Sequence, residues 1–346
     1  MFNLCSIPER PDISQQRAIC LAKRHFGLDV RQIKEFLGYD DKNFYLESSS
    51  GEYVMKITNT EGSADKGILD AQNKAMLLLK SRGVICNVPL ESLIKEYISY
   101  EQSDGKGPNA IRLFDFINGT LMNKMPSFTT ELLIKLGKYV GKLDNILKEY
   151  THPSLNEEKK EMWDLQNICM IEKYIDAKYL GSKDREKLIF SVYRNYMSIV
   201  PASLRNLKKQ VIHNDISSRN VIVCKDQFVI IDFGDMSYSY RIFEVAIFMA
   251  DIILCQFIRG NGINHFDCAT IALKGYQSVF PLTKSELDLL YWCIGARFAQ
   301  LVVIGSVKLF MDPKNTYVMD DEVHIWDLLP QHLAISDTEM LQKWLH

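Results

Sequence analysis

The sequence predicts an α+β protein of two lobes, a small antiparallel-sheet lobe followed by a larger, mostly helical one. Strand-like runs bounded by turn residues concentrate before residue 117, whereas from about Thr129 onward apolar residues recur at helical spacing. The clear β content of the second half, within Val211 to Asp235, is also where acids, a histidine and an asparagine gather on loops. A chain of 346 residues is in any case too long for one small core. The expected division is residues 1–113, a connector at 114–119, and residues 120–346.

In the first lobe, Asp12 can cap a helix through Phe26, with Ile13, Arg17, Ala18, Leu21 and Ala22 along one side and Gly27 as its stop. Strands follow at Gln32–Leu37, Phe44–Glu47 and Glu52–Thr58, the last two joined across the breaker cluster Ser48-Ser-Ser-Gly51. Helical periodicity runs from about Ala64 to Leu79 and ends at Gly83. Strands near Leu93–Tyr100 and Ala110–Phe116 flank the turn-rich Ser103-Asp-Gly-Lys-Gly-Pro108. The second lobe reads as helices at Thr129–Tyr150, Glu158–Asp176, Lys183–Ile199, Tyr240–Ile258, His265–Val279, Lys284–Phe310 and Ser336–Trp344.

Composition excludes several classes. Hydrophobic content of 47% with 24% charged residues is ordinary for a globular protein, and a formal net charge of −2 leaves no basic footprint for nucleic acid. The eight cysteines form no C-x-x-C pair and no His/Cys ligand spacing, as expected of reduced thiols in a cytoplasmic protein. No secretory signal is read at the N-terminus, and Phe243–Ile258 is interrupted by Glu244, Asp251 and Gln256. That stretch is expected to be a buried core helix, with no membrane partner.

The chemistry concentrates in Val211-Ile-His-Asn-Asp-Ile-Ser-Ser-Arg-Asn220 and Ile230-Ile-Asp-Phe-Gly-Asp235. Phosphoryl transfer from a nucleotide needs a base to orient the attacking hydroxyl and oxygen ligands for magnesium. Asp215 is the natural base, and Asn220 and Asp232 are the natural metal ligands. His213 is expected to hold the loop backbone. A bare H-x-D-x-x-x-x-N arises by chance in on the order of one in a hundred chains. Here Val221-Ile-Val-Cys and Phe228-Val-Ile-Ile-Asp232 flank Lys225-Asp226-Gln227 as a hairpin, with Asp226 a turn residue. Protein-kinase-like folds place such a hairpin between catalytic loop and D-F-G, so context reinforces the motif.

On the nucleotide side, Lys56 lies in a strand-like run and can reach the α and β phosphates. Its usual partner in protein kinases is a helix glutamate; the best-aligned residue here is Gln72, with Asp70 nearby. No G-x-G-x-x-G occurs. Asp41 and Asn43, in Leu37-Gly-Tyr-Asp-Asp-Lys-Asn-Phe44, can instead turn backbone N–H groups toward phosphate. The connector, with Phe114, Asp115 and Phe116, is where the base would sit. The missing glycine loop and the absence of A-P-E after Asp232 argue against a protein kinase.

Several segments resemble the aminoglycoside phosphotransferase and choline kinase superfamily, and within it most closely the hydroxylysine kinases. They are Tyr39-Asp-Asp-Lys-Asn-Phe44, Arg112-Leu-Phe with Gly119, Trp163-Asp-Leu, and the long run from Ile231 to Ile247. The resemblance implies a bilobal protein-kinase-like fold and phosphorylation of the 5-hydroxylysine hydroxyl, with Mg2+ and with GTP (ATP being the other candidate) as donor. It implies that Glu244 supports the catalytic loop. Relatives carry glycine where this chain has Asn214, a change that is tolerable even at positive φ. For a zwitterionic substrate, Asp235, Asp164 and Tyr238 are candidates for the ammonium groups, Arg241 or Arg297 for the carboxylate, and Trp163 for an apolar wall. A kinase of another small alcohol and a catalytically inactive nucleotide-binding protein remain as alternatives.

Overall fold

The computed structural model describes residues 10–38, 40–103, 107–156, 162–225, 227–313 and 319–345. The chain divides into two compact units, residues 1–81 with 85–118, and residues 119–346 with 82–84.

In the first unit, helix α1 (Gln15–Phe26) begins where the Ser14 hydroxyl accepts a bond from Arg17 N–H and stops at Gly27, φ +70°. The cap is thus Ser14, two residues after the expected Asp12. Strands β1 (Val30–Phe36), β2 (Lys42–Ser48) and β3 (Gly51–Ile57) form a meander. It continues through β6 (Gly107–Asp115) to the two-residue β4 (Pro89–Leu90), while β5 (Ser99–Ser103) also pairs with β6. All pairings are antiparallel. Phe44 and Leu46, Met55 and Ile57, and Ile111 and Leu113 share one face and close on Ala18, Leu21 and Ala22 of α1. Between Ile111 and Leu113, Arg112 points the other way, into helix α3 (Lys66–Ser81), where Gln72 and Asn73 accept from it.

Two expectations change here. The helical run from Ala64 to Leu79 is two helices, α2 (Thr60–Ala64) and α3, because the Asp65 side chain accepts from Ile68 N–H and restarts the helix. The strand expected at Leu93–Tyr100 begins only at Ser99. The Ser92 carbonyl accepts from Lys95, whose φ is +64°, so the chain turns before the strand starts. Part of the turn cluster, residues 104–106, lies outside the described residues.

The second unit is built around three long helices: α6 (Lys183–Leu204), α7 (Arg241–Arg259) and α9 (Lys284–Met311). They are joined by α4 (Thr130–Leu147) and α8 (His265–Gln277), with α10 (Ile325–Leu333) and α11 (Asp337–Leu345) toward the end. Fifteen of the nineteen α7 residues are buried, as a helix apolar all round must be. By length and composition α9 could cross a membrane, but 83% of its most apolar window is buried within the protein, which accounts for its character. The expected helix at 158–176 is a 3-10 segment, Leu165–Tyr174, beyond residues 157–161, which are not described. Helix α5 (Ala177–Leu180) and α10 had no expectation at all.

The β content of this unit is three short ladders. Strand β9 (Val221–Cys224) pairs with β10 (Gln227–Ile230), and β7 (Thr120–Leu121) adds to β9. The hairpin is as expected, though Asp226 at its turn lies outside the described residues. Strand β8 (Lys209–Ile212) pairs with β11 (Ser237–Tyr240), which carries two serines and had not read as a strand.

Helices α4 and α8 approach to backbone contact through glycines. A Cβ on Gly137 would lie 1.9 Å from the Ala272 carbonyl oxygen, and one on Gly275 would lie 2.3 Å from that of Ile134. Backbone atoms on both sides cannot yield as a side chain can, so Gly137→Ala should cost about 2–3 kcal/mol. Thermal unfolding should show a Tm lower by roughly 5–10 °C. An unchanged Tm would mean the two helices separate without penalty.

Candidate active site

The loop after β8 is fixed at both ends by carboxylates from one helix. Glu244 and Asp251 stand seven residues apart on α7 and so share a face. The Glu244 carboxylate accepts the backbone N–H of His213 and that of Asn214, the latter at 3.1 Å. Asp251 accepts Ser218 N–H at 2.7 Å and its hydroxyl at 3.2 Å. Burial pushes Glu244 well above the usual carboxylate range and Asp251 up to about 7; the loop N–H groups oppose the rise in both. Glu244 thereby has the loop-supporting geometry that the resemblance implies. Asp251 was passed over as a mere interruption of an apolar run. Its signal was available: two acids at i and i+7 on an otherwise buried helix point to one partner.

His213 is buried with its pKa lowered to about 4 by desolvation, so the ring is neutral. Its Nδ1 accepts from Asp215 N–H at 3.2 Å, which leaves the proton on Nε2, 3.2 Å from the Ile231 carbonyl oxygen. The ring also meets Phe233 edge-on at 4.6 Å. One imidazole therefore ties the Asp215 loop to the Asp232 loop, the backbone-holding role expected of it. Asn214 between them has φ +67° and Asp232 has φ +58°, both in the left-handed region.

Asp215 is half-buried, and each of its carboxylate oxygens has a partner. Asn220 Nδ2 donates to Oδ2 at 2.6 Å and to the Asp215 carbonyl at 3.1 Å. Arg297 Nη2, from α9, donates to Oδ1 at 3.2 Å. Burial raises the Asp215 carboxyl, the Arg297 guanidinium opposes that, and the charge of Asp232 adds to the rise. With its NH2 turned to Asp215, Asn220 presents its amide oxygen away from that carboxylate. Asp232 is exposed, its Oδ1 accepting from Gly234 N–H at 3.2 Å. Among the described residues no group of three or more His, Cys, Asp or Glu forms a cage for a metal. One amide oxygen and one carboxylate suit an ion that takes its other ligands from phosphate and water, as Mg2+ does.

In the first unit Lys56 is half-buried, opposite Asn43 on β2 and Arg112 on β6. Asp41 Oδ2 lies 3.3 Å from Lys56 Nζ, and its Oδ1 accepts from the backbone and side-chain N–H groups of Asn59. The Asp41 carboxylate thus bridges Lys56 and Asn59. Gln72 is engaged with Arg112 and Asp70 pairs with Lys74. Phe114 and Asp115 end β6, and Phe116 donates its N–H to Glu52 and meets Tyr45 edge-on at 5.0 Å.

Of the substrate candidates, Arg297 and Trp163 meet, while Asp164 and Arg241 are engaged with other partners. Asp164 is 1% exposed and accepts from Ser237, Ser239 and Gln166, so it is a clamp on β11. Its pKa rises with burial, opposed by these bonds. Tyr238 points to the other side of β11, into an open cavity of about 420 Å3 with Thr151, His152 and Val211. Arg241 makes a two-pronged pair with Glu286 and stacks 4.0 Å over Phe280. Arg297 reaches Asp215, with Trp163 5.3 Å from its guanidinium. Asp235 is half-buried beyond the Asp232 loop. Two acids that sequence reading missed, Asp321 and Glu322, grip Arg219 of the catalytic loop, Asp321 at 2.7 Å.

An antiparallel sheet in the first unit and a largely helical second unit, with Asp215 held between an amide and a guanidinium, have the architecture of a phosphotransferase of protein-kinase-like fold. The sequence agrees: the family described as "Phosphotransferase enzyme family" matches residues 32–261, and the chain belongs to it. It is 33% identical over 331 residues to a hydroxylysine kinase of Xenopus laevis, covering 88% of this chain and 86% of that protein. It is 27% identical to one of Mus musculus, covering 97% and 93%. Among solved structures an aminopropanol kinase superposes with TM-score 0.70 at 13% identity, over 94% of this chain and all of that one. An amicoumacin kinase gives 0.69 at 16% identity, over 95% and 94%. The chain is accordingly a kinase of a small-molecule alcohol.

Two substitutions test the loop supports. Asp251→Ala leaves Ser218 N–H buried without its acceptor and should slow turnover about 10–100-fold, read by nucleotide consumption. Asn214→Gly should raise stability by about 1 kcal/mol, a Tm rise of roughly 2–4 °C, because glycine adopts positive φ freely. It also removes an amide whose two polar atoms are buried without a partner among the described residues.

Proposed function

We propose that this protein transfers the γ-phosphate of a nucleotide, GTP or ATP, to the hydroxyl of 5-hydroxylysine. The observation that supports this acceptor is the 33% identity to a hydroxylysine kinase across 331 residues. The geometry around Asp215 supports direct in-line transfer. Its carboxylate accepts a hydrogen bond from the acceptor hydroxyl and takes the proton as the new P–O bond forms and the bond to the leaving diphosphate breaks. Asn220 and Asp232 would hold Mg2+, whose role is to neutralise the phosphate charge. Lys56 would bind phosphate, with Asp41 directing its ammonium group. The connector end of β3, at Tyr53 opposite Asp115, is three residues from Lys56, or about 10 Å along the strand. The base would lie at that end, beside Phe114 and Phe116, and the phosphates at the Lys56 end. Asp235 is the acid assigned to a substrate ammonium group. Free thiols at the seven described cysteines suit a reducing, cytoplasmic setting.

A coupled assay for nucleoside diphosphate release with Mg2+ tests the reading. GTP and ATP are compared across 5-hydroxylysine, lysine, ethanolamine, choline and homoserine. Turnover is expected with 5-hydroxylysine and not with lysine, and Asp215→Asn should lower it by about 100-fold or more. Turnover of another alcohol in preference would replace the acceptor; an Asp215→Asn enzyme at full rate would remove the base.

A further inference from the structure

We infer that Arg297 is a positioning residue for the base, setting the orientation of the Asp215 carboxylate for the attacking hydroxyl. This rests on the reading that Asp215 is the base, but on no particular acceptor. Arg297 lies on α9, outside the matched stretch 32–261, so the family match leaves it unassigned. The sequence offered it only as a cation for a substrate carboxylate.

The geometry points elsewhere. The Arg297 side chain is 6% exposed, and its fork is divided between two acceptors: Nη2 to Asp215 Oδ1 at 3.2 Å and Nη1 to Gln300 Oε1 at 2.8 Å. Gln300 is fully buried and itself anchored, its NH2 donating to the Met162 carbonyl at 2.8 Å. The next residue, Trp163, supplies the aromatic face beside the guanidinium. The arginine is therefore held from three directions, and what remains of its reach ends on the base.

The consequence is a carboxylate that cannot turn. Asn220 holds Oδ2 from within the loop and Arg297 holds Oδ1 from α9, so rotation about the terminal torsion breaks one bond or both. Each oxygen has a second lone pair, and the pair of anchors decides where those lone pairs point. A loose phosphoryl-transfer transition state needs alignment of the nucleophile more than proton affinity in the base. A guanidinium beside a base weakens it as a base but fixes it in space, so this arrangement suits that chemistry. Lysine could not replace it, because a point charge cannot serve Asp215 and Gln300 at once in a planar fork.

The test is Arg297→Ala and Arg297→Lys in the full chain, with thermal unfolding to confirm folding. Turnover is measured with 5-hydroxylysine, with a carboxylate-free amino alcohol, and with water alone as slow nucleotide hydrolysis. Positioning predicts that kcat falls about 100-fold in Arg297→Ala, in all three reactions alike, with the nucleotide KM within about twofold. Arg297→Lys should remain slowed by about tenfold or more. If Arg297→Ala does not fold, the lysine variant carries the same comparison. A loss confined to the KM of carboxylate-bearing acceptors would overturn the inference and return Arg297 to the substrate. An unchanged kcat in either folded variant would also overturn it. The hydrolysis arm needs no acceptor, so a wrong assignment of 5-hydroxylysine leaves it intact.

Discussion

The loop after β8 depends on two carboxylates that project from one helix, Glu244 buried and Asp251 half-buried. Glu244 holds the N–H groups at His213 and Asn214, and Asp251 holds Ser218, so the chain between them has little freedom. Helix α7 can carry these two acids on its inward face because the loop's own backbone donors satisfy them. Burial raises both pKa values, a measure of the cost of dehydrating them. That cost is offset only while the loop keeps its conformation. Loop geometry and core packing are thereby one problem, and a side chain at the centre of the helix bundle sets the position of an atom at the site.

Positive backbone angles show what that restraint sustains. Asn214 and Asp232 both occupy the left-handed region, where a residue with a Cβ is held at a cost that its surroundings must cover. Asn214 is held through its N–H by Glu244. Asp232 follows Ile231, whose carbonyl lies against the His213 ring and whose N–H donates to the Asn220 carbonyl. The neutral imidazole is thus more than a packed ring. It accepts from one loop and donates to the other, and desolvation keeps it in the form that can do both.

The charged residues reveal a division of labour that composition hides. Arg241 with Glu286, and Asp164 with Ser237 and Ser239, are internal pairs that hold β11 and the start of α7 in place. Arg219, Asp321 and Glu322 join the catalytic loop to the segment after α9. Among the described residues, Arg297 is the buried arginine of this unit that ends on Asp215. Buried ion pairs contribute little net stability, since desolvation cancels most of their attraction. What such a pair does supply is a fixed direction, which matters most where a proton acceptor must face a reacting hydroxyl.

The sequence by itself determined the antiparallel sheet of the first half, the helical character of the second and the hairpin before D-F-G, and it singled out Asp215, Asn220, Asp232 and Lys56 as candidates. These rest on spacing within one loop or on the period of one strand, which neighbouring residues in the chain enforce. Tertiary structure decided which partner each charge finds. Asp251 reaches Ser218 across 33 residues and Arg297 reaches Asp215 across 82, distances over which no sequence period speaks. Asp164 and Arg241 looked free to bind a substrate because an acid or a cation in a sequence has no visible partner. Folding supplied those partners from β11 and α9. It likewise made Asp41, from the loop before β2, the acid beside Lys56. A long charged side chain is committed by the packing around it, and that packing exists only once the helices and strands have met.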